Sequence, residues 1–108
     1  MPETLEPVYS TLADDPEMAA LVEMFVDDLP AKRLQLRSLR EQGLLADARR
    51  VAHQLRGSAG SYGFAALTIQ AGRLEDALRR ECAVEQVDRE FADLLDMMAR
   101  IRPGRREE

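Results

Sequence analysis

Residues 45–63 read LADARRVAHQLRGSAGSYG, and this stretch carries the clearest helical pattern in the chain. Its apolar residues recur every three or four positions, which is the period of an amphipathic α-helix. They are Leu45, Ala48, Ala52, Leu55 and Ala59. Gly63 follows as the kind of glycine that ends helices. The stretch therefore predicts a helix over residues 45–61 with one buried stripe.

Three further segments show the same period. The first begins at Asp15, a capping residue followed by Pro16 in the first turn, and runs to about Gln42 with a kink or break near Pro30. The others cover residues 65–80 and 84–101. Their predicted core positions are Leu21, Met24, Phe25 and Leu29, then Leu67, Ala71, Leu74 and Leu78, and finally Val87, Phe91, Leu94, Leu95 and Met98.

Short loops between long helices make neighbouring helices antiparallel, so the chain is predicted to form an all-α, antiparallel up-down four-helix bundle. No segment has the pattern of a strand. We expect residues 1–15 to form an N-terminal leader that could hold a short helix, residues 16–102 to form the bundle, and residues 103–108 to form a polar tail.

Composition excludes several classes of protein. With 108 residues, 45% of them hydrophobic, the chain is one folded domain. A net charge of −5 argues against a nucleic-acid partner, and no apolar run approaches the ~20 residues of a membrane span. The lone Cys82 fits a reducing compartment, and no calcium-loop motif or other metal site is evident. We expect a cytoplasmic monomer without membrane insertion or bound metal.

Two glycines lie inside the predicted helix, and each lowers the stability of the helix by about 1 kcal/mol relative to alanine. Such residues are expected to serve another purpose. At 100° per residue, His53 lies about 125° from the centre of the buried stripe and should be exposed. Gly57 and Gly60 fall on the same outer face. We therefore expect both glycines to clear space around the imidazole, so that a partner can approach it.

Cations surround this histidine. Arg49, Arg50 and Arg56 lie three or four residues from His53, so all are its neighbours on the helix surface. A neutral imidazole is a nucleophile, and nearby guanidinium groups suit an incoming phosphoryl dianion. Arg56 is the best placed of the three.

The next helix offers a second polar stripe of Thr68, Gly72, Glu75 and Arg79. If it lies beside His53, Glu75 could accept a hydrogen bond from Nδ1–H, which would orient the ring and leave Nε2 free. Arg79 would then extend the cationic rim. The alternative is an ordinary ion pair between Glu75 and Arg79 within their helix.

Residues 53–63 also resemble a family signature. They read HQLRGSAGSYG, which is similar to the His-x-Leu-Lys-Gly-Ser-Ala-Gly-x-x-Gly motif of histidine-containing phosphotransfer (HPt) domains of multistep two-component signalling. The resemblance extends over about residues 17–100. It implies that His53 is the phosphorylated residue, that Gly57 gives steric clearance, and that Glu75 bonds the histidine. Arg56 stands where the family usually has lysine.

The resemblance also implies partners. The chain would shuttle a phosphoryl group between aspartates of response-regulator receiver domains, fed by a hybrid histidine kinase. It would bind no cofactor, since the receiver supplies Mg²⁺, and would have no independent catalytic activity. Docking is expected on an apolar patch beside His53, with arginines at its rim. The predicted docking residues are Leu44, Tyr62 and Phe64, with Arg49, Arg50 and Arg79.

Two other functions are open to a domain of this kind. An enzyme using His53 as general base is disfavoured, since no serine, cysteine or paired acid set accompanies the exposed histidine in a pocket. A helical adaptor that binds a receiver or kinase domain without being phosphorylated remains the alternative.

Overall fold

The computed structural model describes residues 6–103, which form four helices and two very short strands. The helices are α1 (Ala19–Glu41), α2 (Leu45–Ser61), α3 (Ala65–Arg79) and α4 (Val84–Arg100). The strands are β1 (Val8–Tyr9) and β2 (Ile101–Arg102). The all-helical prediction is confirmed, with the bounds of α2 as expected and those of α3 and α4 each within one residue at the C-terminal end. The predicted leader residues 1–5 and tail residues 104–108 lie outside the described range.

The prediction that Asp15 caps α1 is wrong, since the helix has Met18 at its N-cap position and no side-chain cap; Asp15 instead binds the turn that precedes the helix. The Asp15 carboxylate accepts the Glu17 N–H at 2.9 Å, and the Asp15 carbonyl accepts the Ala19 N–H at 2.9 Å. Regular helix begins at Ala19 because the residues after Asp15 form a turn first. Residues 6–15 contain no helix; they form β1 and turns.

The predicted break at Pro30 is wrong, because α1 runs through this residue as one helix of 23 residues. Proline lacks only one N–H, so it removes a single helical hydrogen bond. Leu29 and Leu36, before and after it, are both buried in the same core, which holds the two halves together. A kink at this proline stays a prediction.

The strands were not predicted either. β1 pairs with β2 in parallel, with Val8 beside Ile101 and Tyr9 beside Arg102. Two residues are too few to show the alternation by which strands are recognised. The N-terminal segment is fixed further at the α2–α3 turn, where the Ser10 hydroxyl donates to the Tyr62 carbonyl at 2.6 Å.

The core lies between all four helices of the described chain. α2 packs most extensively on α3, α3 packs on α4, and α1 contacts both α2 and α4. The five predicted core positions of α4 are all buried, whereas on α1 the buried face is Val22, Phe25, Leu29 and Leu36. Leu21, Met24 and Leu45, predicted to lie in the core, are exposed instead. The 3–4 spacing fitted two adjacent faces of α1, and only packing selects between them.

Helices α1, α2 and α3 end in the same backbone motif, in which a residue in the left-handed region follows the helix. That residue is Gly43 after α1 and Gly63 after α2, but it is Glu81 after α3, with φ +55°. The Glu81 N–H donates to the Leu78 carbonyl and the Cys82 N–H to the Ala77 carbonyl. A side chain in this conformation is strained, since Cβ approaches the following carbonyl oxygen.

Replacing Glu81 with glycine should therefore stabilise the protein by about 0.5–1 kcal/mol, because glycine adopts this conformation without strain. Chemical denaturation of wild type and variant measures the difference. Glu81→Ala is the matched control, since it removes the same carboxylate but keeps Cβ. A gain of similar size in the alanine variant would show that charge, rather than backbone strain, is responsible.

Candidate functional site

The site is built on the exposed side of α2. Ala52 and Leu55, which flank His53 along this helix, are fully buried against the other helices. Consequently the His53 ring points outward, and its side chain is 70% exposed. The exposure predicted from the helical projection is confirmed.

Glu75 on α3 connects the two central residues of the site. One carboxylate oxygen lies 2.8 Å from His53 Nδ1, and the other accepts a hydrogen bond from Arg56 Nη1 at 3.0 Å. The Glu75 side chain is only 13% exposed, so it sits between the helices while its partners reach solvent. α3 thus brings together the three residues that the sequence singled out.

The protonation state of Glu75 follows from these contacts. Burial alone raises the pKa of its carboxyl, but hydrogen bonds from Arg56 and His53, together with their charges, outweigh that effect and lower it. The group is therefore ionised at neutral pH and can only accept hydrogen bonds. In the neutral form of the His53 ring, an ionised Glu75 accepts from Nδ1–H, so the proton is assigned to Nδ1 and Nε2 carries the free lone pair.

Two residues of α3 form hydrogen bonds with Arg56. The Thr68 hydroxyl donates to the Arg56 carbonyl at 3.0 Å, and the guanidinium reaches Glu75 two helical turns further along α3. The Arg56 side chain is 50% exposed. A guanidinium has five N–H donors, so its contact with Glu75 leaves donors to meet a further anion.

The two glycines of α2 have different surroundings. A Cβ at Gly57 would meet no atom within 4 Å, so this position opens onto free space one turn after His53. A Cβ at Gly60 would lie 3.1 Å from the Thr68 hydroxyl oxygen. Gly60 thus lies close to α3, and its role in clearing space around the histidine stays a prediction. Both residues are exposed on the outer side of the helix, but only Gly60 lies next to a side chain of α3.

The other predicted arginines lie near the site, and those that form ion pairs bind residues other than His53 and Glu75. Arg50 pairs with Asp47 at 3.1 Å, one turn earlier in α2, and Arg79 pairs with Asp76 at 2.7 Å within α3. The hydrogen bond from Arg79 lowers the pKa of the Asp76 carboxyl. Arg79 thus pairs with Asp76 rather than with Glu75. Arg49 is exposed on α2.

Of the two aromatic residues predicted to contact a docking partner, one is in the core. Phe64 is 1% exposed and stacks on Phe25 at 5.6 Å between ring centroids, so it cannot contact a partner. It follows the terminal Gly63, where the chain turns inward to start α3. Tyr62 also stacks on Phe25, at 5.1 Å, but remains partly exposed.

Sequence reasoning missed a surface between α1 and α2. Leu21 and Met24 are 43% and 65% exposed, and they border a shallow depression next to the residues that follow His53. We call it the α1–α2 depression; it is lined by Leu21, Met24, Phe25, Asp28, Lys32, Gln54, Ser58 and Tyr62. The sequence contained a signal for this surface. Leu21 and Met24 are each followed by another apolar residue, Val22 and Phe25, so α1 has apolar residues on two adjacent faces, and only one of these faces can be buried in the core.

Other kinds of site are not found in this part of the chain. Among residues 6–103, no group of three or more histidine, cysteine or acidic side chains could hold a metal ion. Within the same residues, none of the helices combines the length and apolar character needed to cross a bilayer.

The chain was compared with known proteins and families. The sequence model described as "Hpt domain" matches residues 20–104. The comparisons with curated proteins and with solved structures returned no match.

Proposed function

Because the chain belongs to the Hpt domain family, which has a phosphotransfer role in two-component signalling, we propose that His53 is the residue that accepts and donates the phosphoryl group. In this proposal the domain shuttles the group between aspartates of receiver domains, supplied by a hybrid histidine kinase. The observation that carries it is the exposed imidazole whose Nδ1 is held by an ionised, nearly buried carboxylate.

The transfer step uses the free nitrogen of the ring. The lone pair of Nε2 attacks the phosphorus of the receiver's aspartyl phosphate, a P–Nε2 bond forms, and the P–O bond to the aspartate breaks. The aspartate leaves as a carboxylate, and the proton on Nδ1 stays in place. The ring becomes positively charged, and the Glu75 carboxylate at 2.8 Å stabilises that charge.

Arg56 is proposed to stabilise the phosphoryl group. Its guanidinium is anchored to the same carboxylate as His53, so both side chains are held at one edge of α3. Guanidinium groups bind phosphoryl oxygens through two parallel hydrogen bonds, whereas an ammonium acts as a point charge. The substitution of arginine for the family's usual lysine therefore keeps the charge and adds directionality.

The chain is proposed to act as a carrier rather than as a catalyst. His53 is exposed on a helix surface, and the carboxylate and guanidinium beside it position and neutralise charge. The acidic pocket and Mg²⁺ that activate an aspartyl phosphate belong to the receiver.

The receiver is proposed to dock over His53 and the adjoining α1–α2 depression. This surface combines exposed apolar side chains on α1 with Tyr62 and with Gln54, which follows the histidine in α2. An apolar centre with a charged rim is typical of interfaces that must dissociate. Leu44, exposed before α2, and Arg49, Arg50 and Arg79 are proposed to lie at its rim.

Reversing the charge of Arg49 should slow association with a cognate receiver by about tenfold at low salt and weaken the salt dependence of the rate, because rim charges steer encounter. Arg50→Glu should have a smaller effect, since Arg50 already pairs with Asp47. Stopped-flow association at several salt concentrations measures both. Arg89→Glu on α4 is the control for net charge, and an equal effect there would remove Arg49 from the interface.

The proposed function is tested by phosphorylation of the purified protein. Incubation with a phosphorylated receiver should place on this chain a label that acid removes and alkali does not, as for a phosphorylated histidine. Peptide mapping under neutral conditions should locate it at residue 53. A chain that binds the receiver but acquires no label would instead be a helical adaptor.

A further inference from the structure

We infer that Gly72 is a positioning residue for the phosphoryl-binding group: its missing side chain leaves a groove across α3 in which the Arg56 side chain lies. The inference rests on the proposed function and extends it to a residue that does not touch the phosphoryl group. The groove explains how an arginine fits at position 56, where the family's motif has lysine.

The groove is defined by what a side chain at Gly72 would meet. A Cβ built there would lie 3.4 Å from Arg56 Cδ, 3.4 Å from Nε and 3.6 Å from Cζ. These three nearest neighbours all belong to the same arginine. Three consecutive atoms at nearly equal distances mean that the Arg56 side chain runs across Gly72. Gly72 is itself buried, because Arg56 covers it.

Gly72 is the middle one of three α3 residues that hold Arg56. Thr68, one turn earlier, donates its hydroxyl to the Arg56 carbonyl, and Glu75, one turn later, accepts from the guanidinium. Positions 68, 72 and 75 lie on one face of a helix. Thr68 therefore contacts the main chain of Arg56, Gly72 the middle of its side chain, and Glu75 its guanidinium. Together these contacts direct the side chain toward the carboxylate that also binds His53.

The distances predict how residue size should matter. Contacts of 3.4–3.6 Å are ordinary van der Waals contacts, so alanine fits at position 72 without moving Arg56. A leucine would place further carbon atoms beyond Cβ, where the guanidinium stem now lies. Arg56 would then have to leave the groove and lose its hydrogen bond to Glu75.

The guanidinium beside His53 can therefore take this position only if residue 72 is small. A guanidinium is planar and wider than the compact ammonium of lysine, so it takes up more room where it crosses α3. Gly72 supplies that room and leaves half of the Arg56 side chain exposed toward an incoming anion. The residue thus acts on phosphoryl transfer only through Arg56.

The test uses phosphoramidate, a small donor that reaches His53 without a docking partner. Its P–N bond breaks, ammonia leaves, and the P–Nε2 bond forms. Gly72→Leu and Arg56→Ala should each lower the initial labelling rate about tenfold, because each removes one charged contact to the phosphoryl group. Gly72→Ala should stay within about twofold of wild type, and Ala66→Leu, at an exposed position of α3, controls for added bulk.

A double variant separates positioning from general damage. In the Arg56→Ala background, Gly72→Leu should cause no further loss, since the side chain it displaces is already absent. Losses that multiply in the double variant, or a wild-type rate in Gly72→Leu, would overturn the inference. If Gly72→Leu loses helical circular dichroism, the smaller Gly72→Val takes its place in both backgrounds.

A second readout does not depend on phosphorylation. The Arg56 Nε–H resonance, assigned by its absence in Arg56→Lys, should move in Gly72→Leu and stay in place in Gly72→Ala. An unmoved resonance in the leucine variant would refute the groove. Absence of label on the wild-type protein would contradict the proposed function instead, so the two failures are distinguishable.

Discussion

Replacing His53 with glutamine should reduce phosphoryl incorporation to background, from a receiver and from phosphoramidate alike. Glutamine has no ring nitrogen with a free lone pair, so no P–N bond can form at position 53. The fold should persist, because the side chain is largely exposed and a glutamine amide can still donate to Glu75. Acid-labile label per mole of protein is the measurement, with circular dichroism as the check on folding.

The matched control is Gln54→Ala, which alters the adjacent exposed residue of α2 and should keep full labelling with phosphoramidate. Label that persists in His53→Gln would place the phosphoryl group on another side chain. Since His53 is the only histidine of the sequence, such a label would also have to show a different acid and alkali stability.

Placing leucine at Gly57 should slow transfer from a phosphorylated receiver by more than about hundredfold, because small misplacements of reacting groups have effects of this size. A Cβ at this position meets nothing within 4 Å, so the leucine would fit the protein itself and project into the space that a partner must occupy. The variant should even be more stable by about 1 kcal/mol, since leucine favours a helix more than glycine does.

Labelling with phosphoramidate shows whether the leucine blocks the approach of the receiver or disturbs His53 itself. Phosphoramidate needs far less space than a protein, so Gly57→Leu should retain most of its labelling rate with it. Gly57→Ala should show a much smaller loss with the receiver. Normal receiver transfer in Gly57→Leu would disprove the role of open space, and equal loss with both donors would show that the leucine disturbs His53 directly.

Local pattern was enough to predict much of the site. The stripe on α2 fixed which side of the helix is buried, and it therefore predicted that His53 faces solvent. The spacing of Thr68, Gly72 and Glu75 placed these residues on one face of α3 and predicted a His53–Glu75 hydrogen bond if that face lies beside His53, as it does in the structure. The face on which each residue lies depends on neighbours within its own helix, whereas the contact between the two helices does not.

Features that depend on neighbouring elements could not be predicted in this way. The projection of α2 put Gly57 and Gly60 on one outer face, but only the position of α3 decides that Gly60 meets Thr68. Phe64 follows the helix end closely, and its burial depends on Phe25 from α1. Leu21 fitted the apolar spacing and yet faces solvent, because Val22 on the adjacent face packs into the core.

The parallel pairing of Val8 with Ile101 has a consequence for modular architecture. Adjacent strands are about 5 Å apart, so the chain enters and leaves the bundle at neighbouring points. A bundle whose flanking segments lie side by side, as those at Val8 and Ile101 do, can be joined to another polypeptide at both segments with little change to its packing.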